Sequence, residues 1–445
     1  MAVSYKNYKV EEFLIESLDG KTVFNLTRGV VSVNYFEDLF SPSIFLSLLV
    51  TDTEGALSSF VSENKKFGIR GAERVSLKIN QLATGQSIDL NENNQYYVYK
   101  ISNSFAQYNK EVFQIDLAPV DLFKNETTRV FKRYPEKESE SDLKISISVD
   151  KILTEVLRTT KNKNIDPTSN SYTFYGNSKR PFTVLTWLCP KAIPESSSKS
   201  GPVSGTAGFL FYENKNGYNF KSLDTLLSSS PVETYHNSIK EEIGDSADNT
   251  RIVHSPVFEK NVNVIENMRI GMYSSENYFL DLNTSKTNTY SYKLSENYNI
   301  FSHSSRENKY PKVLIDNLEL ENYPSRMMVK LIDNIVTKPG FSDPTDKKFT
   351  DDRIKYQSQS VTRYNLAFSQ LLNITVPLNL NLTVGDVIEL QLGNITLTES
   401  EKGLTDDIRS GFYLIKELCH QFDGNLGHTG LKLIRDSYGN LSNTN

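Results

Sequence analysis

Phe13-Leu14-Ile15-Glu16-Ser17-Leu18-Asp19-Gly20-Lys21-Thr22-Val23-Phe24-Asn25-Leu26 sets two short runs, Phe13 to Ser17 and Thr22 to Leu26, around Asp19-Gly20. Asp-Gly accepts the positive φ angles that a tight hairpin turn needs, so the stretch predicts two paired antiparallel strands. The same reading extends outward. Gly29 to Tyr35, Ile44 to Thr51, Val75 to Ile79, Tyr96 to Ile101 and Val112 to Leu117 alternate or run apolar between turns. Six or more short strands within about 120 residues predict a barrel or sandwich. The 24 Tyr and 24 Phe support this, since aromatic side chains suit pleated, half-buried surfaces.

Past residue 121 the period changes. Tyr134 to Asp142 is polar and charged and predicts an exposed loop. Ile152, Leu153, Val156 and Leu157 have helical spacing, with Asp150 expected near that helix's start. Pro181 suits a first helical turn, with Phe182, Val184, Leu185 and Leu188 as its apolar residues. Residues 195–206 are rich in Ser and Gly and predict a flexible loop. Phe209 to Glu213 and Tyr218 to Lys221, joined through Asn216-Gly217, predict another hairpin. Strands are expected again over Val262 to Tyr273 and Tyr278 to Leu282. A polar insertion follows over 283–350, then a helix over Asp351 to Leu371. Ile374 to Pro377, Val387 to Leu392, Phe412 to Leu418 and Gly430 to Ile434 close the chain.

The expected fold is mainly β with α+β parts: two similar antiparallel β-barrel domains, an α/β domain and an insertion. The boundaries are 1–121 for the first barrel, 122–230 for the α/β middle, 231–282 with 372–445 for the second barrel, and 283–371 for the insertion and connecting helix. A faint internal echo joins the two β regions. Gly71, Val75-x-Leu77, Tyr97-x-x-Lys100 and Phe105 run parallel to Gly385, Ile388-x-Leu390, Tyr413-x-x-Lys416 and Phe422, with the Gly and Phe offsets differing by one. Tyr97 is expected to match Tyr413, and Lys100 to match Lys416.

Little in the sequence points to chemistry. Net charge is -5, acidic and basic residues are mixed, and no basic stripe favours sequence-specific nucleic-acid binding. No apolar run approaches the ~20 residues of a membrane span, and the first residues lack a signal-peptide core. Cys189 and Cys419, far apart and expected in different domains, predict free thiols in a protein assembled in a reducing cytoplasm. Cys419, His420 and His428 would make a metal site only if adjacent strand residues shared a face, which they do not. Gly424 to Gly430 links two strands and predicts a wide hairpin loop rather than a phosphate cradle. Glu136 and Glu138 read as a solvated charge run, and Trp187 as core. Tyr290 and Tyr292 read as a half-buried strand or subunit contact. No catalytic, cofactor-binding or metal-binding residue is assigned, and no cofactor is expected.

Three segments carry a resemblance: Gly208-Phe-Leu-Phe-Tyr-Glu-Asn-Lys-Asn-Gly-Tyr-Asn-Phe-Lys-Ser-Leu-Asp224; Asn267-Met-Arg-Ile-Gly-Met-Tyr273 with Phe279-Leu-Asp-Leu282; and Leu372-Asn-Ile-Thr-Val-Pro377 with Leu382-Thr-Val-Gly-Asp-Val-Ile388, Gly411-Phe-Tyr-Leu-Ile415 and Leu433-Ile-Arg-Asp-Ser437. In this order they resemble the central baseplate hub proteins of contractile-tailed bacteriophages, related to type VI secretion spike hubs. The resemblance implies a non-enzymatic virion protein of the tail baseplate, assembled in the host cytoplasm. It implies a homotrimer whose six barrels form a pseudo-sixfold ring that lets DNA pass. The implied partners are a trimeric spike protein, the hexameric tail tube protein, the tape measure and baseplate wedge proteins. The chain ends at Asn445 without a spike-like repeat, so spike and any lysozyme are expected on separate chains. The competing expectations are a tail-associated peptidoglycan hydrolase and a receptor-binding tail protein.

Overall fold

The computed structural model describes residues 6–52, 60–62, 65–67, 69–91, 95–107, 110–136, 143–195, 205–237, 251–260, 263–282, 285–305, 312–332, 347–393, 406, 408–424 and 426–437. It is mainly β, as expected. The opening hairpin forms as read: β1 (Tyr8–Glu16) and β2 (Val23–Asn25) pair Leu14 with Asn25. β3 (Val30–Asp38), β4 (Phe45–Asp52), β5 (Arg74–Gln81), β6 (Tyr96–Gln107) and β7 (Lys110–Pro119) follow. Their spatial order is β3-β4-β7-β6-β5, antiparallel throughout. Buried residues alternate strictly along β4 and β5, placing Leu46, Leu48, Val50, Val75, Leu77 and Ile79 inward.

The chain leaves this half-sheet through α1 (Val120–Thr127) into a middle segment with its own core. α2 (Ile145–Lys151) runs into a π-turn over Ile152–Val156. The helix therefore starts earlier than its apolar spacing suggested. Asp150 lies near the end of α2 rather than at the start, and pairs with Lys163 at 2.6 Å. α3 (Pro181–Leu188) begins at its proline as read. β8 (Phe209–Asn214) and β9 (Gly217–Ser222) form the expected hairpin, with a two-residue turn. Most of the 195–206 loop lies outside the described residues.

The second half-sheet contains β11 (His254–Lys260), β15 (Gln370–Pro377), β16 (Val387–Gln391), β17 (Gly411–Asp423) and β18 (Leu426–Arg435). Its spatial order is β11-β15-β18-β17-β16, again antiparallel throughout. Taken in chain order, the first, second, fifth, fourth and third strands lie side by side in both halves. β10 (Glu233–His236) flanks β16 in parallel, whereas β1 flanks β5 antiparallel. The two similar units are not separate. β3 pairs with β17 from Asp38–Glu417 to Ser32–Asp423, making one 14-stranded sheet over one hydrophobic core.

Three expectations are corrected between residues 264 and 371. Residues 264–269 form a short helix, α4 (Val264–Arg269), rather than a strand. The Asn263 side chain caps it by accepting the N–H of Glu266 at 3.1 Å. The strand expected at 278–282 exists as β12 (Ser274–Asp281), but it leaves the second half-sheet. It pairs with β13 (Lys286–Lys293) and β14 (Arg326–Ile332), both inside the 283–350 stretch. α5 (Lys347–Leu366) ends five residues earlier than expected because β15 already needs Gln370 and Leu371 as ladder residues.

Candidate functional site: the seam between equivalent half-sheets

The two half-sheets match residue by residue where β5 meets β6 and β16 meets β17. Val75 faces Tyr96 as Ile388 faces Tyr413. The Ala72 N–H donates to Val98 O at 2.7 Å, and the Val98 N–H donates to Glu73 O at 2.9 Å. In the second half the Gly385 N–H donates to Ile415 O at 3.1 Å, and the Ile415 N–H to Asp386 O at 2.9 Å. Glu73 and Asp386 play the same part: each carboxylate accepts the N–H three residues back, from Arg70 at 2.7 Å and Thr383 at 3.0 Å. Each fourth strand then carries a bulged residue at the same place, Tyr99 or Lys416, and β6 alone has a second irregularity between Ser102 and Phe105. The internal repeat is therefore present, but its register differs by one from the sequence reading. Tyr96, not Tyr97, matches Tyr413. Tyr99 matches Lys416, and Lys100 matches Glu417.

Beyond the bulge lies an inverted ion pair. Lys100 faces Asp116, 3.6 Å away. At the equivalent place Glu417 faces Lys432, 4.0 Å away, with Lys416 closer to Glu417 and Glu259 closer to Lys432, at 3.3 Å.

At the seam itself Val33, Tyr35, Leu418, His420 and Phe422 are buried. The hairpin β8–β9 wedges its tip against both halves. Glu213 accepts the Ile44 N–H of the first half at 3.2 Å and is ion-paired to buried Lys161. The Asn214 amide donates to Val384 O at 3.4 Å, and the Lys215 ammonium to Asn381 O at 2.9 Å, both in the second half. Glu37 lies between all three segments. It accepts the Val384 N–H at 3.0 Å, the Lys215 N–H at 2.7 Å and the Tyr35 hydroxyl at 2.8 Å. Burial pushes the Glu37 carboxyl up to about 7, against the pull of these three donors.

A second polar node ties the insertion to the end of β18. Asp436 accepts from His303 Nδ1 at 2.8 Å, from Ser304 N at 3.0 Å and from Arg363 Nη1 at 2.8 Å. Burial alone would raise its carboxyl, but the charges and hydrogen bonds of these neighbours hold it well below the usual carboxylate range. Arg363 also reaches Asp224 at 3.3 Å, so middle segment, insertion and second half-sheet meet at one guanidinium.

The residues weighed for chemistry are not brought together. His420 is buried, accepts or donates at Thr429 Oγ1 over 3.0 Å, and is held neutral as burial pushes its pKa down to about 3. Cys419 lies on the opposite face of β17, and His428 pairs across the ladder with Gln421. Among the described residues no group of three His, Cys, Asp or Glu side chains could hold a metal ion. Both cysteines are free, as expected. Gly424 lies in a tight turn rather than a wide loop, with Asp423 paired to Leu426. Glu136 pairs with Lys132 at the surface, and Glu138 lies outside the described residues. Trp187 is not core: it is 43% exposed, with Lys191 Nζ 3.8 Å above its ring. Tyr290 and Tyr292 face the insertion's own core, one half-buried and one buried. Among the described residues no helix is long and apolar enough to cross a membrane.

Comparison with solved structures agrees with this architecture. A tail protein from Neisseria meningitidis superposes with a TM-score of 0.52 at 12% identity, covering 97% of each chain. The 43 kDa tail protein of prophage MuSo2 from Shewanella oneidensis superposes at 0.50 and 10% identity, over 96% of this chain and 98% of that one. The fold is that of phage tail proteins. No family model and no curated protein matches the sequence. Within the tail-protein fold, the feature that sequence reasoning misaligned is the internal repeat, whose sharper signal was the identical spacing of Glu73-x-Val75 and Asp386-x-Ile388.

Proposed function

We propose that this protein is the structural hub of a contractile phage tail baseplate, acting without catalysis. In this reading it is a homotrimer that adapts a hexameric tail tube to a trimeric spike and leaves a channel for DNA. The observation that carries it is the shared strand order of β3-β4-β7-β6-β5 and β11-β15-β18-β17-β16. One chain thereby offers two similar surfaces, and three chains offer six, which is what a sixfold tube and a threefold spike require of the part between them. The middle segment 122–230 and the insertion occur once per chain. They belong outside the ring in this reading, with β12 counted in the insertion. Tape measure and wedge proteins are the further partners, and the virion baseplate is the site of action.

The test is the mass and shape of the assembled particle. Light scattering of the protein, alone and with its spike, should give three copies, and electron microscopy should show a ring with pseudo-sixfold symmetry. A stable one- or two-copy complex would overturn the reading.

A further inference from the structure

We infer that copies of this chain join edge to edge through β6 of one and β11 of the next, in the register that β17 and β3 already use within the chain. This deepens the trimeric reading, which supplies the number of copies but not the edges.

The argument starts from equivalence. β3 matches β11, and β6 matches β17, by place in the strand order. Within the chain β17 has three strand neighbours: β18 on one edge, and β16 followed by β3 on the other. β6 has β7 on one edge and β5 on the other, but β5 reaches only Tyr96 and Tyr97. Val98 still bonds Ala72 and Glu73 there, and beyond it that second edge has no strand partner among the described residues. β11 likewise pairs only with β15, whereas β3 pairs with both β4 and β17. Each chain thus contains one filled seam and the two unfilled halves of another.

Side-chain burial follows the same division. Leu418 at the seam is buried, while its counterpart Ile101 on β6 is half-exposed. Tyr35 is buried, while its counterpart Phe258 on β11 is half-exposed. Val257, matching half-exposed Asn34, is 55% exposed. Unpaired edges of this length are templates for another strand, and natural sheets block or fill them. A contact between two different edges is heterologous, and with a rotation of one third of a turn per copy, as the trimeric reading supplies, repeating it closes a ring.

The register follows from the ladders. Cys419 faces Phe36 across the seam. Ser102 matches Cys419, because they face Gln114 and Gly430 at equivalent places on β7 and β18. Phe258 matches Tyr35, since each lies opposite the leucine, Leu372 or Leu46, that continues the ladder to Leu433 or Leu117. The β11 ladder carries an extra residue, Glu259, between Phe258 and Lys260, so Lys260, facing Leu371 as Phe36 faces Phe45, takes the place of Phe36. Ser102 of one copy should therefore face Lys260 of the next, with the strands antiparallel.

Paired cysteines in the full chain test this, in a Cys419→Ser background under mild oxidation. Ser102→Cys with Lys260→Cys should link chains in series up to the covalent trimer. Ser102→Cys with Val257→Cys, two ladder places out of register, should lose the link. As a control for geometry, Phe36→Cys with native Cys419 should bridge within one chain. Hydrogen exchange on the unsubstituted protein gives a second readout: amides 100–102 and 257–260 should gain protection as concentration rises. A trimer by light scattering without the in-register link, and without that protection, would overturn the edge pairing and leave the trimeric reading standing. A chain that stays monomeric at every concentration, with no link, would overturn both.

Discussion

His420 stacks on Tyr35 across the seam with ring centroids 5.8 Å apart, and the Tyr35 hydroxyl donates to Glu37 two residues along. The two titratable groups of this chain of contacts respond to acid in opposite directions. His420 titrates near 6.5 when unfolded and about 3 when folded, so the unfolded chain binds more protons between those values. Acidification from pH 7 to 5 should therefore cost about 2 kcal/mol through His420. Glu37 titrates about 7 when folded and near 4.5 when unfolded, so acidification over the same interval should stabilise by about 2 kcal/mol. The contributions nearly cancel in the intact protein. Denaturant midpoints should rise on acidification in His420→Phe and fall in Glu37→Gln. Parallel pH profiles for both variants and the parent would refute this pairing.

The Lys161–Glu213 pair should behave as a buried ion pair whose partners depend on each other. Their side chains are 3% and 2% exposed. Lys161→Met leaves the carboxylate without its counter-charge and should cost about 3–5 kcal/mol. Adding Glu213→Gln should recover part of that loss, because the stranded charge is then gone. Urea unfolding of the single and double variants measures the difference. Additive losses would show that the ammonium and the carboxylate act separately.

Ala72 and Gly385 occupy the same turn with φ of +70° and +89°. A Cβ on Gly385 would lie 2.3 Å from the Tyr212 hydroxyl, so Gly385→Ala should destabilise by more than about 1 kcal/mol. Ala72→Gly relieves a left-handed residue and should leave stability unchanged or raise it by up to about 1 kcal/mol. Thermal unfolding of the two variants should shift in opposite directions or, for Ala72→Gly, not at all.

Native alkylation should distinguish the two thiols. Cys189 is buried in the middle core and its thiol pKa is pushed far up, while half-buried Cys419 is pushed up to about 11, in both cases by burial. Cys419 should react slowly and Cys189 only after unfolding, with mass spectrometry reporting each. Equal reactivity of the two in the folded protein would contradict the packing around α3.

The sequence made the strands legible because hairpin turns and period-2 burial are local. Asp19-Gly20 lies in the turn it predicted, and Asn216 lies in its turn with Gly217 opening the next strand. The one-residue misalignment of the repeat arose because two tyrosines, Tyr96 and Tyr97, are adjacent and only cross-strand pairing decides between them. α4 carried a local signal that was passed over: Asn263 three residues before Glu266, with Val264 and Met268 four apart. The seam could not be read in advance. Asp38–Glu417 to Ser32–Asp423 joins residues nearly four hundred positions apart, and neither strand's pattern names its neighbour.

The inverted ion pair has its own consequence. Lys100–Asp116 and Glu417–Lys432 put opposite charge at each equivalent place, on otherwise matching strands. Around a ring of three chains the polarity would alternate six times, lysine then glutamate on successive fourth strands. A sixfold neighbour meeting all these places alike gains from one charge what it loses at the next, so it must bind by shape and backbone there. A threefold neighbour touches only one kind and can use the charge to choose its rotation. In the proposed hub, the backbone would thus serve the sixfold neighbour while the side chains select, for the threefold one, between two settings sixty degrees apart.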